Sequence, residues 1–157
     1  RVMGVHGAEF VGARFWDEAM KRLPLGSRLM PHAREVLEYL RPRYRMYILS
    51  NGFTELQSRK MHSAGIESYF DGVILSEDIG VNKPNPEIFY HALRVAGVGA
   101  SEALMIGDNL EVDIAGASRV GIDQVYYDLV ASGDDAVSLK PSPTYVISSL
   151  LDLKGIL

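Results

Sequence analysis

Four short segments, at 45–49, 72–75, 104–106 and 122–127, set the strongest limit on what this chain can fold into. Each is too short for a helix and suits a buried strand. Between them lie amphipathic segments with helix punctuation. Ala33, Val36, Leu37 and Leu40 fall at i, i+3, i+4 and i+7 behind Pro31, a favoured first helical position. Thr54 and Gln57 make a capping-box pattern for a helix ending at Ala64, with Gly65 behind it. Asn85 and Pro86 open a helix to Ala96, closed by Gly97, and Asn109 caps one that runs to Val120 before Gly121. Residues 13–23 read as a further helix with Phe15, Ala19 and Leu23 on one side, and 144–147 as a last strand before a short helix. Strand and helix alternate from residue 31 onward. That pattern predicts α/β architecture: βαβ units with right-handed crossovers and a parallel sheet.

Composition narrows the function classes. The net charge of -4 argues against a surface that coats nucleic acid, and no run approaches the roughly 18 apolar residues of a membrane span. There is no cysteine, hence no disulfide framework and no thiolate metal site, which fits the cytoplasm. The chain begins at Arg1 rather than Met, as a piece of something longer would.

Three strand ends carry candidate chemistry. In Leu104-Met-Ile-Gly-Asp-Asn-Leu-Glu-Val-Asp113, Asp108 stands at a strand tip and Asp113 in the first turns of the next helix. Open α/β sheets bind ligands at that carboxyl edge. Two such carboxylates repel by about 4 kcal/mol at about 4 Å and an effective dielectric near 20. A hard divalent cation such as magnesium reverses the sign. The plain alternative is a helix cap and an exposed helix residue. At the end of 45–49, Ser50, Asn51 and Gly52 precede a helix and can seat a phosphate, or form an ordinary turn. In the loop after 72–75, Lys83 is stiffened by Pro84 and Pro86, against the alternative of a solvated surface lysine.

In combination and in this order, the chain resembles the haloacid dehalogenase-like (HAD) hydrolase superfamily. Ile48-Leu-Ser-Asn51 is similar to its second motif, Lys83 in Asn82-Lys-Pro-Asn-Pro86 to its third, and Gly107-Asp-Asn-Leu-Glu-Val-Asp113 to its fourth. The stretches Tyr47-Ile-Leu-Ser-Asn-Gly-Phe53 and Leu75-Ser-Glu-Asp-Ile-Gly80 resemble the noncanonical pyrimidine 5′-nucleotidase branch. The resemblance implies a Rossmann-like core with a helical cap. It implies a magnesium-dependent phosphatase acting on small phosphorylated metabolites, pyrimidine nucleoside 5′-monophosphates among them. An aspartate would attack phosphorus to give an aspartyl-phosphate, and a second would act as acid and base. Carried over residue by residue, Ser50, Asn51, Gly52 and Lys83 would bind phosphate, Lys83 and Asp108 would serve catalysis, and Asp108 and Asp113 would hold the metal. Phe53 would touch the leaving group.

The family's first motif, Asp-x-Asp after an N-terminal strand, occurs nowhere in these 157 residues. Asp134 and Asp135 are adjacent in a polar loop, and His6, His32, His62 and His91 offer no replacement nucleophile. The expectation is therefore a fold lacking its nucleophile strand, with 1–28 a remnant of the helical cap and 29–157 the C-terminal part of the core. An empty central position would open a gap of roughly 10 Å between its neighbours. The neighbours would then re-pair, borrow a strand from a second copy in a swapped homodimer, or be completed by a missing N-terminal segment. The isolated chain is expected to be inactive. Alternatives are a non-catalytic phosphate- or magnesium-binding domain and a HAD hydrolase of another class, such as a dehalogenase. A response-regulator receiver domain would need an acidic pair near its start. A dinucleotide-binding domain would need a Gly-x-Gly-x-x-Gly, which is absent.

Overall fold

The computed structural model describes residues 9–11, 29–52, 54–130 and 139–157, with side chains from residue 29 onward except those at 53–57 and 59. In chain order the elements are β1 (Glu9–Val11), α1 (Ala33–Leu40), β2 (Met46–Ser50), α2 (Thr54–Ala64), β3 (Gly72–Leu75), α3 (Ser76–Ile79), α4 (Pro86–Ala96), β4 (Leu104–Gly107), α5 (Ala115–Arg119), β5 (Asp123–Tyr127), β6 (Tyr145–Ile147) and α6 (Leu153–Ile156). The six strands form one sheet in the order β3-β2-β1-β4-β5-β6. Every pairing is parallel.

Strand alternation divides the core into two layers. Met46, Ile48 and Ile106 face a layer with Val36, Leu40, Met61 and Leu153 from α1, α2 and α6. Tyr47, Leu49 and Met105 face the opposite layer with Ile88, Phe89 and Ala117 from α4 and α5. A parallel sheet needs this cover on both faces. All five residues of β2 are buried, as its continuous apolar run requires.

The punctuation reads true at most ends. Asn85 accepts the Glu87 N–H and Pro86 follows it, while Gly65, Gly97 and Gly121 all adopt positive φ. Two starts differ. Helix α1 begins at Ala33 behind His32, which is left-handed at φ 66°, so Pro31 lies outside it. Asn109 does cap, accepting from Glu111 N and Val112 N, but a π-helical turn at Leu110–Ile114 precedes α5. The helix expected at 13–23 and the side chains of the 54–57 capping box lie outside the described residues.

The expected gap in the sheet is corrected. Glu9 and Phe10 pair with Met46 and Tyr47 of β2, and Glu9, Phe10 and Val11 with Leu104, Met105 and Ile106 of β4. The chain therefore supplies its own central strand, and β2 and β4 are not re-paired with each other. The physical reason is plain: an open slot would leave two rows of backbone donors and acceptors unsatisfied, and three extended residues suffice to engage both. Residues 9–11 thus belong to the core sheet rather than to a cap remnant; the rest of 1–28 lies outside the described residues.

Candidate active site

The carboxyl ends of β2 and β4 flank the end of β1. Ser50, the last residue of β2, is fully buried, and its Oγ accepts the Gly52 N–H at 2.9 Å. The Gly52 amide is thus turned back into its own turn rather than outward. Asn51 directs its side chain to the Lys83 backbone. Its Oδ1 accepts the Lys83 N–H at 2.8 Å, and its Nδ2 donates to the Lys83 carbonyl at 3.1 Å.

Lys83 is 4% exposed. Its Nζ donates to Asp113 Oδ1 at 2.6 Å, an ion pair sealed from water on both sides. Asp113 Oδ2 in turn accepts the Asn109 N–H at 3.3 Å. The wide turn that carries Asp113 packs directly on the tip of β4. A Cβ placed on Gly107 would lie 2.5 Å from the Asp113 carboxylate, so only glycine leaves room there. Behind the lysine, a Cβ on Gly116 would meet the Phe89 ring at 2.5 Å and the Pro84 Cα at 3.3 Å. Bare backbone lets α5 press against the loop that bears Lys83.

Asp108 follows β4, half-buried, with Oδ1 withdrawn from solvent. Tyr126 of β5 pairs in register with Gly107, beside it. Burial pushes the Tyr126 phenol above its ordinary value, and the carboxylates of Asp128 and Asp108 push the same way. Asp128 is buried; its N–H donates to the Ile147 carbonyl and its Oδ1 accepts the Val130 N–H at 3.2 Å. Tyr126 and Asp128 are neighbours of the site that sequence reading did not find. The register between two distant strands places them there, and no local motif marks them.

The structure thus gathers Ser50, Asn51, Lys83, Asp108 and Asp113 at one sheet edge. It adds that Asp113 serves as the counter-ion of Lys83, with each carboxylate oxygen engaged. Among the described residues no three acidic, histidine or cysteine side chains form a cation cage. Magnesium is commonly held by one or two carboxylates together with substrate phosphate and water. Asp108 fits that role as a single protein carboxylate at the strand tip.

Fold and site together define a doubly wound parallel α/β domain with a lysine–aspartate pair at its ligand-binding edge. The model of the haloacid dehalogenase-like hydrolases matches residues 7–121, a span that includes β1. The chain belongs to that family. It is 33% identical over 129 residues to the N-acylneuraminate-9-phosphatase of Mus musculus, covering 82% of this chain and 52% of that protein. It is 34% identical over 129 residues to the pyrimidine 5′-nucleotidase YjjG of Escherichia coli K12, covering 82% and 56%. The solved HAD-hydrolase YfnB from Bacillus subtilis, bound to magnesium, superposes with a TM-score of 0.74 at 29% identity, covering 83% of this chain and 55% of that one. The chain spans about half the length of the curated relatives it matches. No helix among the described residues is long and apolar enough to cross a membrane.

Proposed function

We propose that this chain is the phosphate-binding part of a magnesium-dependent phosphohydrolase for small phosphorylated metabolites, nucleoside 5′-monophosphates among them, working in the cytoplasm. The observation that carries the proposal is the sealed Lys83–Asp113 pair beside Ser50 and Asp108 at the carboxyl edge of the sheet. A buried lysine is costly unless paired, and this one is held where a parallel α/β sheet takes its ligand. Ser50 donates from its hydroxyl to one phosphoryl oxygen, and Lys83 offers its remaining N–H donors to another. Because the ammonium is covered, phosphate entry must displace what covers it. Lys83 is balanced by Asp113, so with Asp108 these three residues keep a formal net negative charge. A phosphate enters such a cluster only with a cation. Magnesium bound at Asp108 would neutralise phosphoryl charge.

A second reading is favoured by β1. The central strand reads Glu-Phe-Val, and no Asp-x-Asp occurs in the chain. The chain alone then binds phosphate and magnesium without turning over. Two measurements test the pair. Inorganic phosphate, followed by phosphorus NMR, should bind the purified chain with magnesium present and weaken when magnesium is chelated. Hydrolysis of p-nitrophenyl phosphate should stay at background. Turnover that requires magnesium and disappears in Lys83→Ala would show that the chain supplies its own nucleophile. No phosphate binding with or without magnesium would sink the phosphohydrolase proposal.

A further inference from the structure

The residue after β2 does more than turn the chain. Both polar ends of the Asn51 side chain are spent on one residue, the N–H and the C=O of Lys83. Two hydrogen bonds from one planar amide fix where the Lys83 backbone sits and how it is rotated. Lys83 then reaches away from Asn51 to Asp113, which is tied to the Asn109 N–H. Asn51 follows β2, and Asn109 lies two residues beyond the end of β4. Those strands are not adjacent, because β1 lies between them. With neighbouring strands about 4.8 Å apart, the two tips are roughly 10 Å apart. The chain Asn51–Lys83–Asp113–Asn109 spans that distance, so the lysine is strung between the two strand tips.

We infer that Asn51 is a positioning residue: its side-chain amide clips Lys83 in place between the tips of β2 and β4. The rest of the loop cannot do this alone. Its root is fixed at Asn85, which caps α4 and whose N–H donates to the Asn82 carbonyl at 2.9 Å. Pro84 is backed by Gly116. Neither contact reaches toward β2. Asn51 is itself exposed, so its two bonds contribute little to the core. What they hold is one loop and the ammonium it carries. The clip gains its meaning for catalysis from the phosphate reading above, but its geometry is testable without phosphate.

Acetic anhydride labelling with site-resolved mass spectrometry reads each lysine separately. In the wild-type chain, Lys83 should label far more slowly than the exposed Lys140. Asn51→Ala should raise the Lys83 rate by about tenfold, the order expected when two modest hydrogen bonds no longer oppose local opening. Lys154, which pairs with Glu35 between α1 and α6 on the other layer of the sheet, should label as before. Asn51→Asp keeps an acceptor for the Lys83 N–H and loses the donor to its carbonyl, so it should fall between. An unchanged Lys83 rate in Asn51→Ala overturns the inference. So does an equal rise at every lysine, which would mark general loosening. Phosphate with magnesium should slow Lys83 further. If it does not while the Asn51 effect stands, the phosphate reading fails and the clip survives.

Discussion

Asp113 Oδ1 and Lys83 Nζ lie 2.6 Å apart, with side chains only 2% and 1% exposed. Removing one partner strands a charge in a site without water. Asp113→Ala should therefore cost about 3–5 kcal/mol. Replacing both partners together, Lys83→Met with Asp113→Leu, should cost less than Asp113→Ala alone. Urea unfolding midpoints decide it. A loss under about 1 kcal/mol for Asp113→Ala would mean that water already reaches the pair.

Gly107 is held to glycine by its neighbour rather than by its own backbone angles. The Cβ of Gly107→Ala would lie 2.5 Å from Asp113 Cβ and Oδ2. The turn carrying Asp113 must move away from β4. The expected loss is about 1–3 kcal/mol, the usual cost of overpacking. The Lys83 labelling rate should rise with it, because the same displacement pulls Asp113 from the ammonium.

Gly116 and Phe89 form a second tight contact, and it invites a rescue test. Phe89 is fully buried and its ring occupies the space that a Gly116→Ala methyl would need. That single change should destabilise by about 1–3 kcal/mol. Adding Phe89→Leu removes the ring edge, so the double variant should lose less than the two single changes combined. Strict additivity in thermal or urea unfolding would show that the two side chains do not meet.

Tyr126 gives the site a pH signature. Burial first, then Asp128 and Asp108, raise its phenol above the ordinary value of 10.0. The folded chain therefore keeps this proton to higher pH than the unfolded chain does. The stability linked to it is fully present below about pH 10 and is lost as pH climbs through the folded value. The difference in phenolate absorbance between wild type and Tyr126→Phe isolates this titration. Asp128→Asn should lower its midpoint part of the way only, since burial is the larger cause. A midpoint already at the ordinary value would remove Tyr126 from the neighbourhood of the acids.

Much of this was legible because local chemistry wrote it. The strand at 72–75, the Asn85–Pro86 start of α4 and the positive-φ glycines at 65, 97 and 121 follow from turn and cap preferences that need no tertiary context. The placing of Ser50, Lys83 and Asp108 at one edge followed from strand ends in a parallel sheet. What escaped depends on partners far away in sequence. Glu9-Phe-Val11 is too short to announce a strand, and only β2 and β4 make it one. The π-helical turn at Leu110–Ile114 has no signature separable from an ordinary helix start; its packing on Gly107 reveals it. The short helix α3, Ser76–Ile79, is too brief for any periodicity to mark it. Asn51 looked like a donor for phosphate because the sequence shows its amide and not the loop that claims it.

The position of β1 also governs the order in which the molecule can be assembled. Preceding the other described strands in the chain, it has no partner among them until Met46 and Tyr47 emerge, and its second partner, Met105, comes much later. Pairings between β2 and β3 or between β4 and β5 close short loops, whereas the middle plank must wait for both halves. Folding of this chain should therefore be limited by that late, long-range closure.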